Sequence, residues 1–256
     1  MTCAVVSGCA TGIGAATRAR LEAQGCEVIG IDLAGVEVEA DLSLPAGRKA
    51  AIDAVLERSG GRLDRAVMCA GLGGHIDDIA AVVSVNYFGA VELLDGLLPA
   101  LREGDAPAAV AICSNSAQMM ESIAEADFVQ SLLDHDEARA REQVRAAGQG
   151  QVAYMGSKNA LGRAIRRRAR EWGQAGVRLN AVAPGVTRTP LLEGGLASPG
   201  SGEAIRALEV PLDRWAEPDE IAGVVAFLLG PEAANVHGAV WYTDGGTDAV
   251  VRPERF

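Results

Sequence analysis

SGCATGIG, residues 7–14, decides how the rest of the chain is read. It follows an apolar run, CAVVS (3–7), and opens a helix-periodic segment over 12–25. Its glycines are Gly8, Gly12 and Gly14. A glycine at such a turn lets the backbone pass close to a ligand. The helix N-terminus behind it offers free N–H donors and a partial positive charge. Glycines alone are a weak signal, but the order strand, glycine loop, helix is the context a pyrophosphate cradle requires. The plainer meaning is a tight βα turn with no ligand.

Working outward, further runs of strand length recur: EVIGID (27–32), RAVMCA (65–70), AAVAICS (108–114), VRLNAVAP (177–184) and AVWYTD (239–244). They are rich in Val and Ile and mostly lack alternation, the mark of strands buried on both faces of a parallel sheet. Helical patterns lie between them at 45–59, 80–103, 151–174 and 217–230. This alternation predicts a doubly wound α/β sheet with right-handed crossovers, in one domain over 1–256. Two regions break the pattern. Residues 115–150 are polar and charged, an insertion predicted to hold one short exposed helix over 134–147. Residues 186–212 contain GGLASPGSG and are expected to form a mobile substrate loop with little fixed structure, a candidate lid.

The bulk numbers narrow the function. Of 256 residues, 49% are hydrophobic, too many for a disordered chain. The charge is 23 − 34 = −11, which excludes the basic footprint of a nucleic-acid binder. The arginines at 163, 166, 167, 168 and 170 read as the solvated face of a helix. The cysteines Cys3, Cys9, Cys26, Cys69 and Cys113 form no CxxC, so buried thiols in a reducing compartment are expected rather than disulfides or a metal site. The first residues, MTCAVVSGCA, lack the form of a signal peptide, and no apolar run reads as long enough to cross a bilayer. A cytoplasmic protein without membrane or nucleic-acid partners is expected.

Asp32 ends the second predicted strand, 18 residues beyond Gly14. In dinucleotide folds an acid here accepts hydrogen bonds from the adenosine ribose hydroxyls and repels a 2′-phosphate. The glycine loop has no Lys or Arg, and Leu33 and Ala34 follow the acid, so NAD is favoured over NADP. A surface Asp at a strand end is the alternative. In AYMGSKNA (153–160), Tyr154 and Lys158 share one helix face. A free phenol, with a pKa of about 10, is a poor base near neutrality, but a nearby ammonium favours the phenolate. The pair fits a general acid/base and its electrostatic partner. Alone it would more simply be a half-buried aromatic beside a solvated lysine. Ser114, at the end of the AAVAICS run, is placed to steady an alkoxide, because ligands sit at the carboxyl ends of such strands. Ser116 is its rival.

The glycine pattern with YxxxK resembles the short-chain dehydrogenase/reductase family. Further landmarks follow in order: CAG (69–71), SVNYFGA (84–90), Ser114, YMGSKNAL (154–161), RLNAVAPGVTRTP (178–190) and YTDGG (242–246). They span essentially the whole chain and look most like the branch that acts on hydroxysteroids. The resemblance implies a single-domain Rossmann-type sheet of about seven strands. It implies hydride transfer between NAD and a hydrophobic secondary alcohol or its ketone, with Ser114, Tyr154, Lys158 and Asn86 as catalytic set. Asn86 would hold a water linking Lys158 to solvent, and a kink is expected there. Cofactor contacts are expected from Gly8, Thr11, Gly12, Ile13 and Gly14 at the phosphates, with Asp32, Leu33, Asp41 and Leu42 at the adenosine. Ala70, Gly71, Tyr154, Lys158, Pro184, Gly185, Val186, Thr187 and Thr189 would hold the nicotinamide half.

Two features depart from the family pattern. Cys69 stands where an asparagine is usual. Ser114 and Tyr154 are 40 residues apart, far more than in most members. The inserted segment would obstruct a dimer face that many members use, so a homodimer through 217–246 is expected instead. Met119, Met120, Ile123 and Phe128 are expected to wall the substrate cleft, along with Leu72, Val186, Leu191, Leu192 and Leu196. A same-fold enzyme for a cyclic diol, terpene alcohol or small ketone is the nearest alternative. A non-enzymatic NAD-binding regulator would require a damaged catalytic set, and no GK[ST] follows the glycine loop to suggest an NTPase.

Overall fold

All six apolar runs fold as strands: β1 (Thr2–Ser7), β2 (Cys26–Asp32), β4 (Arg65–Met68), β5 (Ala108–Ile112), β6 (Arg178–Pro184) and β7 (Val240–Thr243). A two-residue strand that the pattern did not show, β3 (Val38–Glu39), completes one edge. The computed structural model describes residues 2–255; Met1 and Phe256, the two ends of the expected domain, lie outside them. The sheet is wholly parallel, in the order β3-β2-β1-β4-β5-β6-β7. The chain starts at the centre, winds out to β3, then returns past β1 and winds out to β7. The order therefore reverses between β1 and β4, and a crevice opens there at the carboxyl ends of the strands.

The continuous apolar runs have a direct cause. Val5, Ala66 and Ala109 face one layer, and Ala4, Val6, Val67 and Val110 face the other, all essentially buried. Helices α1 (Gly12–Ala23) and α10 (Pro218–Leu229) cover the second face through Leu21, Ile221, Val225 and Leu228. The first face is covered by α2 (Pro45–Arg58), the long helix Ile79–Arg102 and α7 (Gly150–Gln174).

The helix over 80–103 is not regular. It divides into α3 (Ile79–Val83), a π-helical turn (Ser84–Gly89) and α4 (Ala90–Arg102). The wide turn carries Asn86, where the kink was expected. By length and composition this helix is apolar enough to cross a bilayer, contrary to the sequence expectation. It is mostly buried against the sheet, which accounts for its apolarity.

The insertion holds more structure than one helix. Two 3₁₀ turns (Asn115–Gln118 and Glu121–Glu125) lead into α5 (Asp127–Leu133) and α6 (Glu137–Ala147). Asp136 caps α6 by accepting from the Arg139 N–H, and Gly148 ends it in a left-handed conformation. A buried ionic knot ties α6 to the scaffold. The Arg48 guanidinium of α2, fully buried, donates to Glu92 of α4 at 2.7 Å and to Glu137 of α6. Ser84 donates to Glu137 at 2.6 Å.

The segment expected to be a mobile loop is also ordered. Thr189 accepts from the Leu192 N–H at 3.2 Å and Pro190 occupies the first turn, which starts α8 (Pro190–Ala197). A short turn joins it to α9 (Ser201–Ala207). The Gly- and Pro-rich composition hid two helices, which carry Leu191, Leu192 and Ile205, with Leu208 just beyond the second. The chain closes with α11 (Thr247–Val251).

Candidate active site

The carboxyl ends of β1, β2, β4, β5 and β6 open onto one cavity of about 470 Å³, within the range of small-molecule sites. Its floor is the glycine loop. Gly8 has φ +67° and donates its N–H to the Ile31 carbonyl at 2.8 Å. A Cβ there would stand 2.6 Å from the Ala70 backbone, and one at Gly14 would stand 1.9 Å from the Gly8 carbonyl oxygen. The loop thus closes tightly on β4 and on the first turn of α1. Side chains there would push the helix N-terminus away from the cavity.

Every residue expected to hold a cofactor lines this cavity: residues 8 and 11–14 at the loop, Asp32, Leu33, Asp41 and Leu42 at one end, Ala70 and Gly71 above β4, and residues 184–187 and 189 after β6. The Asp32 carboxylate is held by the N–H groups of Ala10 at 2.9 Å and Leu33 at 2.8 Å, which fix both oxygens at the end of β2. Asp41 accepts from the Ser43 N–H at 2.9 Å in a local turn. Thr187 donates to the Gly185 carbonyl at 3.0 Å, while the hydroxyl of Thr189 serves as the cap of α8.

At the other end Ser114, Tyr154 and Lys158 converge. The Tyr154 phenol lies close enough to Ser114 for that hydroxyl to lower its pKa, which distinguishes Ser114 from its rival. Ser116 instead supports Ser114: their hydroxyls are 2.9 Å apart, and the Ser116 N–H donates to the Ser114 oxygen at 3.2 Å. Burial pushes the Tyr154 phenol above its ordinary value and the nearby Ser114 hydroxyl pulls it part of the way back. Burial pushes the Lys158 ammonium down. Lys158 donates to the Ile112 carbonyl at the end of β5, at 2.7 Å. An ammonium carries three donors, so two remain to face the cavity.

Asn86 does not line the cavity. Its amide accepts from the Leu72 N–H at 2.7 Å and donates to the Leu72 carbonyl at 3.0 Å and to Ser157 at 3.3 Å. It pins the loop after β4 to α7. It also lies close to Lys158, since a Cβ on Gly71 would meet Asn86 Oδ1 at 3.3 Å and Lys158 Nζ at 3.5 Å. Cys69 and Cys113 flank the site, each thiol pushed up to about 12 by burial, so neither is a thiolate near neutrality.

The expected substrate walls are half right. Leu72, Val186, Leu191 and Leu192 line the cavity; Leu196, Met119, Met120, Ile123 and Phe128 do not. Ile123 and Phe128 are buried in the packing of the insertion, and Met120 faces outward. Phe128 lies over Gly156, whose added Cβ would sit 2.1 Å from its ring. The small residue between Tyr154 and Lys158 therefore makes room for an aromatic of the insertion. Sequence reading missed His75, Gln151, Ile205 and Leu208, which complete the walls. The paired glycines Gly73-Gly74 were the one visible hint that this loop packs closely: a Cβ on Gly74 would stand 2.6 Å from Gly150 at the start of α7.

Known proteins with this architecture carry matching sequences. The chain is 52% identical to the 3-alpha-hydroxysteroid dehydrogenase/carbonyl reductase of Comamonas testosteroni over the full length of both. It is 30% identical to the cis-4-hydroxycyclohexanecarboxylate dehydrogenase of Sinomonas cyclohexanicum, over 96% of each chain. The crystal structure of the 3-alpha-hydroxysteroid dehydrogenase from Pseudomonas sp. B-0831 complexed with NADH superimposes with a TM-score of 0.98, at 47% identity and covering all of both chains. Residues 2–126 match the family described as short chain dehydrogenase, and residues 140–248 match one described as enoyl-(acyl carrier protein) reductase. With the parallel sheet, the glycine loop and full-length identity in agreement, the chain belongs to the short-chain dehydrogenase/reductase family.

Proposed function

We propose that this protein is an NAD(H)-dependent dehydrogenase that interconverts a hydrophobic secondary alcohol and its ketone, with 3α-hydroxysteroids as the leading substrate class. The observation that carries it is the convergence of Ser114, Tyr154 and a buried Lys158 at the end of a cavity whose other end is the glycine loop and Asp32. The site suits the cofactor on its own geometry. The close-packed loop leaves backbone and helix N-terminus facing the cavity, and the Asp32 carboxylate keeps lone pairs for ribose hydroxyls while opposing a 2′-phosphate. NAD, when bound, accepts the hydride and brings a cationic ring beside the phenol.

The residues of the chain do the rest. Ser114 donates to the substrate oxygen and holds it beside Tyr154. Tyr154 takes the hydroxyl proton in oxidation and returns it in reduction. Lys158 favours the phenolate by its charge and offers its free donors to ribose hydroxyls. Both N–H donors of the Asn86 side chain are committed to Leu72 and Ser157, so a water relay to Lys158 would have to use its remaining acceptors. The relatives named above support an alicyclic alcohol, and the walls Leu72, Val186, Leu191, Leu192, Ile205 and Leu208 suit an apolar body.

A panel of steroid and non-steroid alcohols with NAD and NADP, followed by NADH or NADPH absorbance, tests this reading. Tyr154→Phe is expected to abolish turnover while NADH still binds. Normal turnover by that variant would refute the mechanism, and equal use of NADP would remove the role of Asp32.

We further infer a cytoplasmic homodimer. In the insertion, α5 packs on α7 and α6 on α3, whereas the rings of Phe227 of α10 and Trp241 of β7 lie 5.5 Å apart and remain 38% exposed. Light scattering coupled to size exclusion should give twice the chain mass, reduced by charge substitution at Trp241. A monomer, or an assembly indifferent to Trp241, would exclude it.

A further inference from the structure

Apart from the catalytic group and its flanking thiols, the substrate end of the cavity carries an imidazole, that of His75. It follows the Gly73-Gly74 pair in the loop between β4 and α3 and is half-buried. Its ring is set between two glycines from different elements. A Cβ on Gly73 would stand 2.6 Å from its Cε1 and Nδ1, and a Cβ on Gly194 of α8 would stand 2.3 Å from its Nε2. The loop beneath it is itself fixed, since Gly74 packs on the start of α7 and Asn86 holds both polar groups of Leu72. The two glycines leave room for the imidazole, and a side chain at either would displace it.

Among the described residues, no protein group hydrogen-bonds either nitrogen of this ring. The walls Leu72, Val186, Leu191, Leu192, Ile205 and Leu208 offer no polar side-chain atom, and the other polar side chain that completes them, Gln151, is exposed at the start of α7. An unpartnered polar group set against largely apolar walls is suited to reading a matching polar atom on a ligand. A site built to hydrogen-bond such an atom rejects the analogue that lacks it, because its own group is then left unpaired.

Resting on the dehydrogenase reading above, we propose that His75 is a specificity-determining residue. It selects alcohols that carry, besides the reacting oxygen, a second hydrogen-bond-accepting oxygen separated from it by an apolar body. The reacting oxygen lies between Ser114 and Tyr154, the apolar body lies along the leucine walls, and the second oxygen accepts from the imidazole. The lid takes part, because Gly194 on α8 bears on the ring.

The test uses a matched pair of probes: a 3α-hydroxysteroid with a ring-D ketone and its counterpart with CH₂ at that carbon. The full-length protein should prefer the ketone by about tenfold in kcat/KM, the size of one net hydrogen bond. His75→Leu should bring the two within about twofold, and His75→Gln, which keeps an N–H donor, should retain part of the preference. General damage to the fold would lower both substrates together and leave the ratio intact. Binding of the same pair to the protein–NADH complex, read by thermal shift, should show the same preference and the same loss. An unchanged ratio in both readouts for His75→Leu would overturn the proposal. Failure of the dehydrogenase reading is distinguishable: no alcohol would yield NADH, while the binding ratios would still decide the role of His75.

Discussion

The phenol of Tyr154 is the group on which the chemistry turns, and its surroundings oppose one another. Burial raises its pKa and the neighbouring Ser114 hydroxyl lowers it. Alcohol oxidation needs the phenol deprotonated, so its kcat/KM should climb with pH across the neutral and alkaline range; ketone reduction needs it protonated and should fall at high pH. Ser114→Ala removes the lowering influence and should move the oxidation profile to higher pH, besides slowing it. Initial rates over about pH 6 to 11 check this, bracketing a phenol's ordinary value of about 10. A profile displaced to lower pH in Ser114→Ala would contradict the assignment. These roles were legible because a tyrosine, a lysine and a serine at strand and helix ends carry chemistry that few other arrangements explain. His75 was not, since a lone histidine in a polar loop looks the same whether it faces solvent or a leucine-lined wall.

At the scale of elements, the strands and the main helices could be read because each is a long stretch of one pattern. The insertion and the lid could not. In α5, Phe128 and Val129 are buried against Gly156 of α7, a contact across 28 positions that no local pattern encodes. In α8 and α9 the glycines conceal helices whose order depends on a threonine cap and on packing against the loop at Gly73. The Phe128–Gly156 contact gives a direct measurement. Gly156→Ala places a methyl 2.1 Å from the Phe128 ring and 3.0 Å from Val129, an overpacking expected to cost about 1–3 kcal/mol in chemical denaturation. Phe128→Leu on that background should recover part of the loss. Stabilisation by Gly156→Ala, from its higher helix propensity alone, would show that the insertion yields at this point.

For the molecule as a whole, the first helix and the sheet edge are joined by charge. Arg18 of α1 makes paired bonds to Glu37, at 2.9 Å and 2.6 Å, and Glu37 also accepts from the Gly30 N–H of β2 at 2.9 Å. The Arg18 guanidinium holds the Glu37 carboxyl down to about 2. Because the folded value lies below the ordinary 4.5, the stabilisation is complete above that value and is lost as the pH falls toward about 2. Asp64 acts in the same sense: burial raises its pKa, but the N–H groups of Asp105 and Cys3 together with the charges of Arg62 and Arg65 outweigh it. Glu37→Gln should lower Tm near neutral pH, and its difference from the parent protein should shrink as the solution is acidified. Thermal melts at a series of pH values would show this, and a constant difference would exclude the linkage. The net charge of −11 announced an acidic surface, but which carboxylates are paired is a property of the folded chain alone.

The buried Arg48 has a consequence for how the molecule comes apart. Detaching α6 would take Glu137 from the Arg48 guanidinium and leave it with Glu92 and the Leu42 carbonyl. The same motion would admit water to a charge that is fully covered in the closed molecule, so a contact made in a dry site would be exchanged for one made in a wet site. The inserted segment is thus held to the scaffold by charge as well as by packing, and the amides of α6 should exchange with solvent more slowly than those of a surface loop of similar length.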